Sequence, residues 1–582
     1  MWGNMTAVHD LVIRNATVVD GTGAAPFVGD VAVDGGHIVD VGEAGAARRT
    51  VDADGLLLTP GFVDIHTHFD GQATWDADLT PSCWHGVTTA ILGNCGVGFA
   101  PVRPDGHDEL IELMEGVEDI PGTALADGIT WGWESFPEYL DVLDSMPRAI
   151  DIGTHVPHAA LRSYVMGERA RGDATDADVA AMAALLHDGL AAGALGFSSG
   201  RTVGHRDARG QTVPGTFAAE DELTALLAVM DRLATGVFQV VPAGVGGEIT
   251  GDAAGAMEAE LDWLVRRGEN SNRPITFLVM ERPEVNHWRP WFDAVQSANA
   301  RGAHLRPQVG NRCFGVLMGH QSKLNPFRYR ATYQAIAHLP LPERVQRLRD
   351  PEIKARILAD EPDYSGPFLM DQIGRRAMDN LFPLGDDLNY EPRPEDSVRA
   401  IAQREDRDPW EVAYDLMLHD DGREFLLWPL LNFGGGSYDG LYDLMTDPST
   451  VQGLGDGGAH VGLVCDASMT TYMLSHWTRD RTRGPQLPLP LAVRRLTGDP
   501  AALYGLGDRG VIAPGMRADL NVINHDGLRL CRPEQLHDLP GGAGRLVQRA
   551  EGYVATFVAG VQTIDHNELT GARPGRLVRG AR

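Results

Sequence analysis

The apolar positions fall into three regimes along the chain. Over the first sixty residues, DLVIRNATVVDG, GDVAVDGGHIVDVG and VDADGLLLTPG carry Val and Ile in short runs broken by Gly and Asp, which predicts strands. The C-terminal stretches GVIAPGMRADLNVINHDG and GYVATFVAGVQTID read the same way. Two β-rich ends predict one small β-sandwich domain built from both termini, residues 1–58 and 500–582. Two independent β-extensions are the plainer alternative. Between them, short apolar runs alternate with helical patterns, as βα units of a parallel sheet do. In TDADVAAMAALLHDGLAAG, Thr175 can cap a helix with Asp178 at its third position. Val179, Met182, Leu186 and Leu190 then share one face, and Gly193 stops the helix.

Eight candidate strands can be read in this middle: 59–66, 88–94, 149–155, 194–199, 236–241, 275–280, 303–309 and 450–456. With intervening helices they predict an α/β fold, a (β/α)8 TIM-like barrel over 59–499, whose chemistry belongs at the C-terminal ends of its strands. Residues 310–449 are too many for one loop. Their helical patterns (PERVQRLRDPEIKARILA, PEDSVRAIAQRE, DPWEVAYDLML) and Pro-rich breaks predict a helical insertion beside or over the barrel mouth. Loop elaboration away from the site is the alternative.

Composition narrows the function classes. Hydrophobic residues are 43% of the 582, enough for a sizeable core. Fifty basic against 80 acidic residues give a formal charge of −30, which disfavours nucleic acid and anionic membrane as partners. No apolar run is long enough to span a bilayer, and the N-terminus has no basic region followed by an apolar block. The five cysteines, Cys83, Cys95, Cys313, Cys465 and Cys531, are scattered without a CxxC, so free thiols in a reducing cytoplasm are expected.

The strongest chemical signal is PGFVDIHTHFD. Alternate strand residues point the same way, so His66 and His68 present two imidazoles into the barrel mouth at the end of the first strand. Two neutral imidazoles there suit a divalent transition metal, Zn2+ first, rather than serving only as polar edge residues. Cys95 ends the second strand in GNCGVG, where a thiolate could be a further ligand; a small buried residue is the plain reading. Asp456 ends the last strand in GLGDGGAH, where a carboxylate can bind metal and take a proton from water; a simple turn is the alternative. His460 follows four residues on, either supporting the site or capping the next segment. GFSSG (196–200) has the letters of a nucleophile elbow and is read instead as a backbone turn.

These features resemble the amidohydrolase superfamily, and more narrowly its N-acyl-D-amino-acid deacylase (D-aminoacylase) branch. The likeness is carried by HTHFDGQATWD (66–76), GVTTAILGNCGVGFAP (86–101), GALGFSSG (193–200), GLGDGGAH (453–460) and GVIAPGMRADLNV (510–522). The resemblance implies zinc held by His66, His68 and Cys95. It implies Asp456 as a ligand and as the general base that later protonates the leaving amine. The implied reaction is hydrolysis of a C–N amide bond, most of all that of an N-acyl-D-amino acid.

The chain also departs from that pattern. A carboxylated lysine on the fourth strand is excluded, because the only lysines are Lys323 and Lys354. The metal-binding histidines of the family's fifth and sixth strands have no counterpart in GVFQVVPAGVG and ITFLVMERPEVNHW; His287 and Glu281 are the nearest substitutes. A single ion is therefore expected. An anionic substrate calls for a cationic anchor, with Arg201 ahead of Arg162 and Arg306. His155, at the end of the third strand, is the candidate substrate contact among the remaining histidines. Partners are expected to be a small-molecule or modified-peptide amide, with self-association left open. Two other readings compete: hydrolysis of a different amide, such as a cyclic one, or a metal-poor barrel acting as a binding module.

Overall fold

The computed structural model describes residues 8–246, 253–282, 288–364 and 374–580. Eight parallel strands form one curled sheet in chain order: Phe62–Asp64, Val87–Leu92, Asp151–Pro157, Gly196–Gly200, Val237–Val241, Ile275–Leu278, Leu305–Val309 and Val451–Gln452. Each falls within or against a run read from the sequence. The first and last are tied together beyond their ends, where His68 N–H donates to the Gly457 carbonyl (2.7 Å) and Asp456 N–H to that of His66 (3.0 Å). This closure sets His66, His68 and Asp456 side by side although they come from opposite ends of the barrel sequence.

The helices cover the outside. Asp176–Ala192 shows how local sequence sets an element: Thr175 and Asp178 form a reciprocal capping box, and Gly193 ends the helix at φ 113. GFSSG is strand throughout, which corrects its reading as a turn. Ser198 faces the loop after the second strand, and Ser199 bonds His158 at 2.9 Å.

Strands from both ends of the chain share a nine-stranded sheet, in which Leu57–Pro60 pairs antiparallel with Leu520–Ile523. Its core includes Leu11, Ile13, Val31, Val33, Leu520, Val522 and Phe557. The described part of 310–449 contains the expected helices, among them Leu341–Leu348, Pro351–Ala359, Val398–Glu405 and Pro409–Met417. It also holds an unexpected three-stranded antiparallel sheet of Phe314–Gly319, Phe425–Leu431 and Phe382–Pro383. This unit leans on the turn after the eighth barrel strand: Leu317 and Lys323 N–H groups donate to the carbonyls of Leu463 and Gly462. The insertion thus sits at the barrel mouth. All five cysteines are unpaired with one another, and no helix among the described residues is long and apolar enough to cross a membrane.

Candidate metal centre

His66, His68 and Cys95 each offer one ligand atom, and the three lie within 4.8 Å of one another, all buried. His66 Nε2 is 3.3 Å from Cys95 Sγ, and His68 Nε2 is 3.8 Å from it. Asp456 joins from the adjoining end of the eighth strand, with Oδ1 3.6 Å from His66 Nε2 and 3.9 Å from His68 Nε2. The backbone is unusual at these positions: Cys95, Asp456 and His460 all hold positive φ (58°, 44° and 51°), a conformation that non-glycine residues adopt uncommonly. The glycine after Cys95 is required. Gly96 has φ 77°, and a Cβ there would lie 2.7 Å from the Gly200 backbone nitrogen, so only glycine lets this loop press against the fourth strand.

Polar groups behind the ligands orient them. His66 Nδ1 is hydrogen-bonded to Gln308 Oε1 at 2.8 Å, which puts the proton on Nδ1 and the lone pair on Nε2, facing the cluster. The Cys95 N–H donates to Gln239 Oε1 at 2.9 Å. Asp64 accepts from the His66 N–H at 3.1 Å and fixes the bend where the first strand ends. Glu118 closes the far side, with Oε1 3.4 Å from His68 Nδ1 and Oε2 3.8 Å from His460 Nε2.

The electrostatics suit a cation. Burial holds His66 down to about 4 against a partial offset from Gln308, and burial with the neighbouring His66 holds His68 well below the usual range. Both imidazoles are therefore neutral at physiological pH and able to donate lone pairs. Burial, and then Glu118, Asp456 and Asp70, push the Cys95 thiol well above its ordinary value. Asp456 is raised by burial and then by Asp466 and Asp64, and Glu118 by burial and then by Asp456 and Asp70. Acids crowded in a low-dielectric pocket raise one another, and a divalent ion among them reverses that effect. Two imidazole nitrogens, a thiolate and a carboxylate form a donor set that fits zinc.

Of the other residues singled out from the sequence, His460 lies at the mouth, its ring edge-on to Phe314 of the insertion at 5.4 Å. His155 is buried in the barrel, its Nε2 2.9 Å from the Tyr504 hydroxyl. Arg201 is paired with Glu260 at 2.8 Å and lies over the Trp263 ring. Arg162 is paired with the buried Glu222. Glu281 is committed to the insertion, accepting from the Gly434 N–H at 3.1 Å, and His287 falls outside the described residues. Three residues were missed: Glu118, Gln239 and Gln308. Gln239 is the lone polar residue inside the apolar strand run GVFQVV, a signal that it faces the barrel interior, whereas AHLRPQV also carries His304 and Arg306 and gives Gln308 no such signal. Glu118 and Asp119 are adjacent acids at a helix C-terminus, where the helix dipole disfavours negative charge and a partner is needed.

A model of the amidohydrolase family matches residues 49–564. The chain belongs to that family. This amidohydrolase is 30% identical over 606 residues to an uncharacterized protein of Mycobacterium tuberculosis, an alignment spanning 95% of this chain and 92% of the relative. Its fold is similar to the crystal structure of D-aminoacylase, with a TM-score of 0.64 at 22% identity, covering 98% of this chain and 100% of that one. It is also similar to the N-acyl-D-glutamate deacylase of Bordetella bronchiseptica, solved with zinc and a phosphonate mimic of the tetrahedral intermediate (TM-score 0.63, 22% identity, 98% and 100% covered).

Proposed function

We propose that this amidohydrolase hydrolyses the amide C–N bond of an N-acylated amino acid, of D configuration first, with one zinc ion held by His66, His68 and Cys95 beside Asp456. The observation that carries this reading is the convergence of His66, His68 and Cys95 ligand atoms within 4.8 Å, with the Asp456 carboxylate 3.6 Å from His66 Nε2. The D-aminoacylase and zinc-containing N-acyl-D-glutamate deacylase structures that share the fold support the substrate class.

When bound, such an ion supplies Lewis acidity to a carbonyl oxygen and lowers the pKa of water. The protein's own groups do the rest. Gln308 holds His66 in the tautomer that leaves Nε2 available. Asp456 takes the proton of the attacking water on its carboxylate and returns it to the departing nitrogen. Its burial raises its proton affinity, so it can retain that proton between the two transfers. The buried walls exclude bulk water, and His460 stands at the mouth, where the substrate enters.

The test is a panel of N-acyl-D- and N-acyl-L-amino acids with chelator-treated and zinc-restored protein. Amino-acid release from the D series that returns with zinc supports the reading. Zinc-loaded protein that cleaves none of them would overturn the substrate class, and turnover of a cyclic amide instead would reassign it.

A further inference from the structure

Glu118 is the last residue of the helix His107–Glu118, and Asp119 turns the chain out of it at φ 52°. The turn is clamped from two directions. The Asp119 carboxylate accepts from the Lys323 ammonium of the insertion and from the Gly462 N–H at 3.3 Å. The His460 N–H donates to the Glu118 carbonyl. This clamp places the Glu118 side chain behind the metal-facing histidines, fully inside the protein.

Two atoms there stand out. His68 Nδ1 and Glu118 Oε1 are both buried, and neither makes a hydrogen bond with any described residue. They are 3.4 Å apart, a few tenths of an ångström beyond a hydrogen bond. Leaving two buried polar atoms unmatched is costly, and a single proton on Nδ1 shared with the carboxylate satisfies both. That choice of tautomer leaves the lone pair on Nε2, the atom 3.8 Å from Cys95 Sγ and 3.9 Å from Asp456 Oδ1. Glu118 faces Nδ1, whereas Cys95 and Asp456 face Nε2, so its carboxylate supports the ligand rather than joining the ligand set.

We propose that Glu118 is the positioning residue for His68: it accepts the Nδ1 proton and aims Nε2 at the ion. The assignment rests on the metal reading above. The two histidines are then held by unlike groups, His66 by the neutral amide of Gln308 and His68 by a carboxylate. A carboxylate partner raises the basicity of its histidine, and loss of such a partner typically weakens metal binding 10–100-fold.

The experiment measures zinc affinity of the full chain by competition with a chromophoric chelator, in wild type, Glu118→Gln and Glu118→Ala. It is joined by 15N NMR of histidine-labelled, zinc-loaded protein. Wild type is expected to bind zinc and to show His68 as the Nδ1–H tautomer. Glu118→Ala should lose about 10–100-fold in affinity and show a mixture of tautomers. Glu118→Gln keeps an acceptor and the side-chain shape, should lose less, and serves if the alanine variant fails to fold. Affinities within twofold of wild type with an unchanged His68 tautomer would overturn the assignment alone. Wild-type protein that binds no zinc would overturn the metal reading, and the assignment with it.

Discussion

His66 and Gln308 lie 242 positions apart and meet through a 2.8 Å hydrogen bond between Nδ1 and Oε1. The bond joins the first and seventh barrel strands beneath the ligand cluster and decides which nitrogen of His66 carries the proton. Gln308→Leu removes the acceptor while keeping most of the volume. Zinc affinity is expected to fall about 10–100-fold. Unaltered affinity by chelator competition would show that Gln308 does not set the ligand.

Asp456→Asn tests the proton carrier. The carboxamide keeps an oxygen toward the cluster but cannot accept and return a proton. Hydrolysis is expected to drop by about 10²–10⁴-fold, the usual worth of general acid–base catalysis, with zinc content close to wild type. Retained turnover in steady-state assays of zinc-loaded protein would remove Asp456 from the proton transfers.

Gly96→Ala probes the loop that carries Cys95. The new Cβ meets the Gly200 backbone at 2.7 Å in a residue at φ 77°. Loss of at least about 1 kcal/mol of stability is expected from the backbone conformation alone. Because the loop must move, zinc affinity should fall as well. Urea unfolding and chelator competition read the two effects separately, and no change in either would contradict the packing described for this loop.

A pH test lies away from the cluster, at Glu391. Burial alone would raise this carboxyl, but His476 at 3.0 Å and Arg481 at 3.1 Å outweigh it and hold it at about 2, against 4.5 in a free chain. A depressed folded value stabilises the protein above pH 4.5, and that contribution is lost as pH falls toward 2. Glu391→Gln should therefore cost roughly 3 kcal/mol at pH 7. The difference between variant and wild type should shrink in urea titrations below pH 4.5. A difference that does not vary with pH would rule out the ionised carboxylate as its source.

Much of this fold is legible in the chain because buried parallel strands are mostly written as apolar runs, and all eight barrel strands overlap the segments read as strands. His66 and His68 are legible because their motif directly follows the first apolar strand run, although the strand itself ends at Asp64 and the two imidazoles stand just beyond it. What escapes depends on distant segments. The ring of His155 is met by Tyr504, from a helix end far along the chain, and nothing near His155 announces that partner. Arg201 sits at a strand end, as an anchor would, yet Glu260 and Trp263 of the helix Ala253–Glu269, beyond the following strand, claim it. The strands FGVLMG and FLLWPLL of the insertion are apolar runs hidden in a segment dominated by helical patterns, and their antiparallel pairing joins its two ends. Glu118 escaped because an acid at a helix end usually faces water.

The most direct measurement is an anomalous-difference map, at the zinc absorption edge, from crystals of the zinc-loaded full chain. The expected result is a single peak about 2.0–2.1 Å from Nε2 of His66 and His68 and about 2.3 Å from Cys95 Sγ, with Asp456 at its side. A map with no peak in the barrel mouth, or with an ion that neither histidine touches, would contradict the account.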